Sequence, residues 1–416
     1  MNSKRILTTV AAAALLAAAA ARAAAPAQAQ PRHRAQAQNC TPRWRLVPTP
    51  PLPDPDGRPA LGPPAVISNS NVWFPSDGVL TGPVPVPDTH PGMVRWNGTS
   101  VVAAPEPATM SLLDKSTQQA SFDSSTDGWV LGRIGSSTGV AQPYLAHWDG
   151  RRWTIMPFTG PQDHATVATF FPSLNGVAAV SPASAWAVGA VIDPAGNNHG
   201  AIIEHWNGSR WSLVANPASS PSSGGGLYAL KVISPANVWA VGRQENASGT
   251  IVPLVQHWNG KAWSIVPVPA GAAPSALSSI SASGPKDVWA ADDQLRPGSA
   301  DTAAPLVEHW NGKTWKVMPL PDLGADGDKA TGIFAASSSD VWVTNLVAAN
   351  PGTPGVLLHW NGAAWAKVQA PGPQEFGVIS QFNGIAGTGP ANVWASGFTT
   401  SLATGEQPLL AHLSCS

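Results

Sequence analysis

The chain has 416 residues, a formal net charge of −1 and 11% charged side chains, well under the roughly 25% of an average soluble chain. With 23 Lys and Arg against 24 Asp and Glu and no basic stripe, nucleic acid and anionic membrane surfaces are excluded as expected partners. The first element is a leader. Lys4 and Arg5 form a charged start, Ile6 to Ala20 is an apolar run too short and Ala-rich for a stable anchor, and small residues follow to Ala29. That order predicts a signal peptide over 1–29, then a flexible Ala/Gln/Arg-rich linker over 30–38. No later stretch reaches about 18 consecutive apolar residues, so no membrane insertion is expected. The protein is expected to be secreted, either extracellular or associated with the cell wall.

From residue 39 onward the chain repeats itself. Short apolar strands close on Trp73, Trp129, Trp186, Trp239, Trp289, Trp342 and Trp394, six of them close to V-W-A-V-G. Between them stands H-W-N-G-x-x-W, at His147–Trp153 (with Asp149 in the Asn slot), His205–Trp211, His257–Trp263, His309–Trp315 and His359–Trp365. A looser copy begins at Arg95 and a truncated one ends the chain at His412. A period of roughly 50–58 residues built from short β-rich pieces is the mark of a propeller blade. One unit parses as Gly176–Val180, Ala185–Gly189, Ala201–Trp206 and Trp211–Val214, four antiparallel strands. Asn207-Gly208 reads as a type I′ hairpin turn, in which both central residues need positive φ. The fold class is therefore all-β: a seven-bladed propeller of four-stranded antiparallel blades.

Closure is also predicted. Trp44, in Arg43-Trp-Arg-Leu-Val-Pro, is a fourth-strand signature with no blade before it. His412 lies in a third strand with no fourth strand after it. The N-terminal strand is expected to complete the last blade beside Leu409–Leu413, leaving no open edge in the ring. Cys415 falls in the Gly slot of the last motif and Cys40 close to the matching position before Trp44. A disulfide across the interrupted hairpin is expected, of a kind that exported proteins keep.

These motifs resemble those of secreted bacterial β-propeller repeat proteins, near the kelch and tectonin-like propellers. The resemblance covers about residue 39 to the end and implies architecture only. The Gly-Gly pair of kelch strands is missing, tectonin repeats are shorter, and the Gly-His and Trp-Asp pairs of WD repeats do not occur.

Little in the chain spells chemistry. Six His (His147, His205, His257, His309, His359 and His412) share one repeat position, one per blade. They should fan apart around the ring, each bonding a neighbouring backbone or blade, so no shared metal is expected. Glu204, Gln256 and Glu308 precede three of them and are expected to satisfy buried polar groups. Asp322, Asp326 and Asp328 share one loop and form a weak candidate for a hard cation, without EF-hand spacing. No cofactor is expected, and no nucleophile triad, phosphate cradle or zinc spacing is present.

The two rims of the ring differ. Turns between first and second strands (S-P-A-S, S-P-A-N) and the N-G turns are short and repetitive, and lie on one rim. Loops after the second strands and between blades vary, and lie on the other. Variable loops on a rigid frame are where binding usually sits. Charges just after the second strands start near the axis there: Asp77, Arg133, Arg243, Asp292 and Asp293 are the candidate ligand-binding residues. The expected function is a monomeric, non-catalytic binding or interaction module with an extracellular glycan or protein ligand. The alternative is an extracellular propeller lyase or hydrolase acting on polysaccharide.

Overall fold

A computed structural model describes residues 41–50, 60–76, 92–107, 115–134, 142–158, 171–193, 195–220, 223–269, 274–295, 303–323, 329–346, 356–373, 377–401 and 403–415. The leader and linker over 1–38, Cys40, Asp77, Asp326 and Asp328 lie outside the described residues.

The described residues form seven four-stranded antiparallel sheets, one per repeat. The third blade is typical: Phe171–Ser181, Ser184–Ile192, Asn198–Trp206 and Trp211–Leu213 follow one another across the sheet. First strands of successive blades touch one another all the way round, and the first blade's Ala65–Ser68 meets the last blade's Val378–Gly389. First strands therefore line the axis and fourth strands form the outer wall.

Closure is as expected. The last sheet runs Val378–Gly389, Asn392–Ser401, Gly405–Ser414 and then Arg43–Leu46. Its outer pair sets Trp44 opposite Leu413, the same register that sets Trp211 opposite Trp206. The chain's two ends thus build one blade between them.

The Trp repeat has a packing cause. The second-strand Trp of one blade enters the next blade between its third- and fourth-strand rings. Trp129 meets Trp206 and Trp211 at 5.0 and 4.7 Å, and Trp186 meets Trp258 and Trp263 at 5.1 and 5.4 Å. Trp342 of the sixth blade meets Trp44 at 5.4 Å, confirming that Trp44 fills a fourth-strand slot. Edge-to-face contacts of this kind add to the area buried. These rings are core: Trp129, Trp186, Trp239 and Trp289 are all buried.

The N-G turns differ from expectation. Among the described residues no non-glycine has positive φ, while Gly208 stands at +91°. The loop is four residues long, Asn207 to Arg210, between the paired Trp206 and Trp211. The Asn207 side chain holds it: Oδ1 accepts from the backbone N–H of Ser209 and of Arg210, both at 3.1 Å. Only an acceptor oxygen is needed, which is why Asp149 serves the same role toward Arg151 and Arg152 at 2.9 Å. A type I′ turn would have required Asn itself to adopt positive φ; the side-chain cap makes that unnecessary.

Candidate functional site at the variable rim

The Gly of V-W-A-V-G marks a close approach of two strands. A Cβ on Gly189 would lie 1.9 Å from the Ser173 carbonyl oxygen, and one on Gly242 1.9 Å from that of Gly226. The first strand bulges opposite this point: the register shifts around Asn175, Tyr228, Thr331 and Asn383. A bulge frees one side chain from the ladder, and most of these reach the next blade. Asn175 donates to the Leu227 carbonyl at 2.9 Å, Thr331 to that of Phe382 at 2.6 Å, and Asn383 to that of Leu61 at 3.1 Å. These polar ties circle the axis near the variable rim. The sequence reading did not identify them, because a bulge leaves no periodic trace.

Arg133 belongs to this belt. Its Nε donates to Gln118 Oε1 at 3.2 Å, and a terminal nitrogen donates to Ser173 Oγ of the next blade at 3.0 Å. It is a strut between two blades.

The belt breaks at the fourth blade. Tyr228, at the bulge, turns back and accepts from Asn198 Nδ2 of the third blade at 3.3 Å. Arg243 occupies the place of Arg133, but the positions held by Gln118 and Ser173 around Arg133 are held here by Tyr228 and Ala276. Half-buried, Arg243 has no hydrogen bond or ion pair among the described residues. A desolvated guanidinium with open donors is a ready partner for a carboxylate or a hydroxyl.

The fifth blade breaks the Gly rule next door. Asp292 fills the slot that Gly holds in four other blades, and it is buried. Lys329, from the first strand of the sixth blade, lies 3.6 Å from Asp292 Oδ1 and 3.8 Å from Asp293 Oδ1. Burial pushes the Asp292 carboxyl up to about 7, against the pull of Lys329 and with the help of neighbouring Asp293. Its Oδ1 has no hydrogen bond. Gly242, one residue before Arg243, accepts from Leu277 N–H at 3.2 Å, and Ala276 N–H donates to the Asp293 carbonyl at 3.4 Å. Two residues of backbone thus link the Arg243 strand to the Asp292–Asp293 strand. Three of the five predicted residues share one neighbourhood, Arg133 is a strut apart from it, and Asp77 lies outside the described residues. Lys329 was missed, since it begins a first strand, outside the repeated motifs.

The repeated His are structural, in a way that corrects the expected partner. Each bonds a side chain of its own blade, two residues before the second-strand Trp. His147 Nε2 meets Asp127 at 2.6 Å, His205 meets Ser184 at 3.0 Å, and His257 meets Asn237 at 2.9 Å. His309, His359 and His412 meet Asp287, Asp340 and Asn392 at 2.7, 2.9 and 2.9 Å. Each ring also lies against its own blade's Trp, as His412 does on Trp394 at 4.0 Å. In the first blade Arg95 takes this place, 5.6 Å from the Trp73 ring centre. Gln256 satisfies a buried group as expected, donating to Asn216 at 3.2 Å. Glu308 does not: it is fully buried, both carboxyl oxygens lack a hydrogen bond, and burial pushes it up to about 8.

No protein-family model matches the chain, and neither does any curated protein. Solved structures similar to it include a fucose-recognising six-bladed lectin from Aleuria aurantia, at 16% identity and a TM-score of 0.42 over 70% of this chain and 90% of that one. The β-propeller domain of the Trilobed protease of Pyrococcus furiosus is 8% identical, with a TM-score of 0.48 over 85% and 95%. The α-L-arabinanase of Penicillium chrysogenum is 9% identical, with a TM-score of 0.41 over 72% and 93%. Likenesses this distant carry no argument about ligand or chemistry; the propeller assignment rests on this chain's own strand pairing.

Proposed function

We propose that the protein is a secreted, monomeric binding module of the kelch- and tectonin-like kind, taking a glycan or protein ligand on the variable rim over blades four to six. The observation that supports this most is Arg243, a half-buried cation without a partner among the described residues, at the point where the axial belt of ties is interrupted. Asp293 stands on the strand that Ala276 and Leu277 link to the Arg243 strand, with Lys329 against it, so this part of the rim offers both donors and an acceptor for an uncharged, hydroxyl-rich ligand. The opposite rim consists of repeated turns that bond themselves. Glycan-array screening of the exported protein, with reducing-sugar release measured on the same samples, tests the reading. Arg243→Ala and Asp293→Asn should weaken binding at least about tenfold without moving the melting temperature. Lys286→Glu, in a short turn, should leave binding unchanged. Loss of binding in Lys286→Glu alone would place the ligand on the other rim.

A hydrolase or lyase is the second reading, favoured by one feature. Asp292 retains a proton near neutrality beside Asp293, as a general acid beside a base would. Sugar release that disappears in Asp292→Asn would establish it.

A further inference from the structure

The first strands around the axis carry almost no charge. Lys115 and Lys329 begin theirs at the variable rim, and Asp123 stands beside a short turn, where it bonds Asp127. Lys231 alone is charged in mid-strand. It pairs with Trp239 across the ladder. The matching residues of the other blades, each opposite its own second-strand Trp, are Ala65, Ser121, Ala178, Ser281, Phe334 and Ala386. One residue from each blade thus forms a single level of the axial wall, and alanines leave room there. Neighbouring blades cover both faces of a first strand, so a side chain at this level meets water only from the axis. Lys231 is half-buried, and its exposed part faces that channel.

Nothing among the described residues answers its charge. Lys231 makes no hydrogen bond or ion pair there, and burial holds its ammonium below the ordinary 10.5. Glu308 faces the same seam between the fourth and fifth blades, but from two strands further out, roughly 10 Å at sheet spacing, and burial keeps it protonated. The polar groups nearest in register are hydroxyls of the fifth blade. Ser281 Oγ, at the same level, accepts the Ala335 N–H at 3.0 Å, and Ser279 Oγ, on the same strand and face, accepts that of Ile333 at 3.0 Å. Each hydroxyl keeps its own proton with no acceptor among the described residues. This part of the wall therefore holds an ammonium and two hydroxyl donors, and no carboxylate. A desolvated charge left without a partner is costly.

We infer that Lys231 holds a small monovalent anion in the axial channel, at a site separate from the variable rim. The ammonium supplies the charge, and the Ser279 and Ser281 hydroxyls supply further donors. One cation balances one negative charge, so a phosphate or sulfate would be left half-neutralised, whereas a halide or a small carboxylate is matched. The bound ion joins the fourth blade to the fifth at the axis, where other blades are tied by side chains to the backbone of their neighbours. An anion that binds only the closed ring stabilises the folded protein.

The test is thermal melting at pH 7 and constant ionic strength in sodium chloride, sodium acetate and sodium gluconate, whose anion is too large for one level of side chains. The wild-type protein should melt about 2–4 °C higher in chloride or acetate than in gluconate, and the salt that gives the gain distinguishes halide from carboxylate. Lys231→Met keeps the length of the side chain without its charge, and Lys231→Ala installs the residue that Ala178 provides at this level in the third blade. Both should lose the gain, and Lys231→Met should melt no lower than the wild type in gluconate, since it removes an unanswered charge. Arg243→Ala should keep the gain, which separates this site from the rim patch. The inference is overturned if the wild-type protein melts alike in all three salts, or if either Lys231 variant keeps the gain. It is equally overturned if Lys231→Met melts below the wild type in gluconate, which would mean that the ammonium needs no counter-ion.

Discussion

Glu308 sits where burial opposes its charge. Gln256 holds the same repeat position one blade earlier and donates to Asn216; Glu308 has no such neighbour, and its carboxyl is held in its neutral form up to about pH 8 by burial. Unfolded, the same group ionises from its ordinary value of 4.5. The unfolded state therefore sheds a proton that the folded state keeps, and stability falls as pH rises from about 4.5 to about 8, then levels off. Glu308→Gln should leave stability near pH 4 almost unchanged and raise it by a few kcal/mol at pH 9. Urea melts of both proteins at pH 4, 7 and 9 check this; a constant difference across pH would mean Glu308 is ionised throughout. Trp239 tests the core. Its indole N–H has no partner, so Trp239→Ala should cost about 3–5 kcal/mol, and Trp239→Phe distinctly less because no hydrogen bond is lost. Equal losses in thermal melts would show that the N–H matters.

At the scale of the element, the four-residue N-G turn makes two separable demands. Its Asn provides an acceptor for two backbone N–H groups, and its Gly provides positive φ beside the first turn of the same blade. Asn207→Asp should fold with stability within about 0.5 kcal/mol of the parent, as Asp149 shows that a carboxylate serves, whereas Asn207→Ala loses both bonds and should cost about 1–2 kcal/mol. Gly260→Ala should cost about 1–2 kcal/mol as well. Gly260 stands at φ +91°, and an added Cβ would meet the Ala236 Cβ at 3.0 Å. Chemical denaturation of the three variants distinguishes the demands: if Asn207→Ala is silent, the cap contributes nothing and glycine alone makes the turn. The V-W-A-V-G glycine answers to a different cause, the bulged carbonyl opposite it, and the same residue type in two motifs thus does two jobs.

At the scale of the whole molecule, ring closure is the property on which the fold depends. The last blade joins strands separated by almost the full chain length, held by the Arg43–Leu46 to Gly405–Ser414 pairing and by the Val47 N–H bond to the Leu410 carbonyl at 2.9 Å. Contacts so distant in sequence form late and break early. A Cys40–Cys415 bond would hold this strand in place. Non-reducing peptide mapping of the oxidised protein should find the two residues in one cross-linked peptide, and reduction should lower stability by up to about 5 kcal/mol. Separate alkylation of both thiols in the folded protein would mean the closure relies on strand pairing alone.

The repeat made the blades legible from the sequence. Trp, Gly and Asn recur because each blade solves one packing problem seven times, and a problem repeated at fixed spacing is visible without coordinates. The same logic exposed closure, since Trp44 and His412 were two incomplete copies that complete one another. Turn conformation was not legible in this way: an Asn that takes positive φ and an Asn that caps with its side chain are spelled alike. Nor were the axial ties, because a bulge shifts one residue out of the period and its partner lies in another blade. Charges were visible as breaks in the repeat, but whether a break is a strut or an open site depends on what faces it. Arg133 and Arg243 occupy the same repeat position; one finds Gln118 and Ser173 and the other does not. Local interactions recur with the chain and can be read along it, whereas the partner of a side chain across a blade seam is set only when the ring closes.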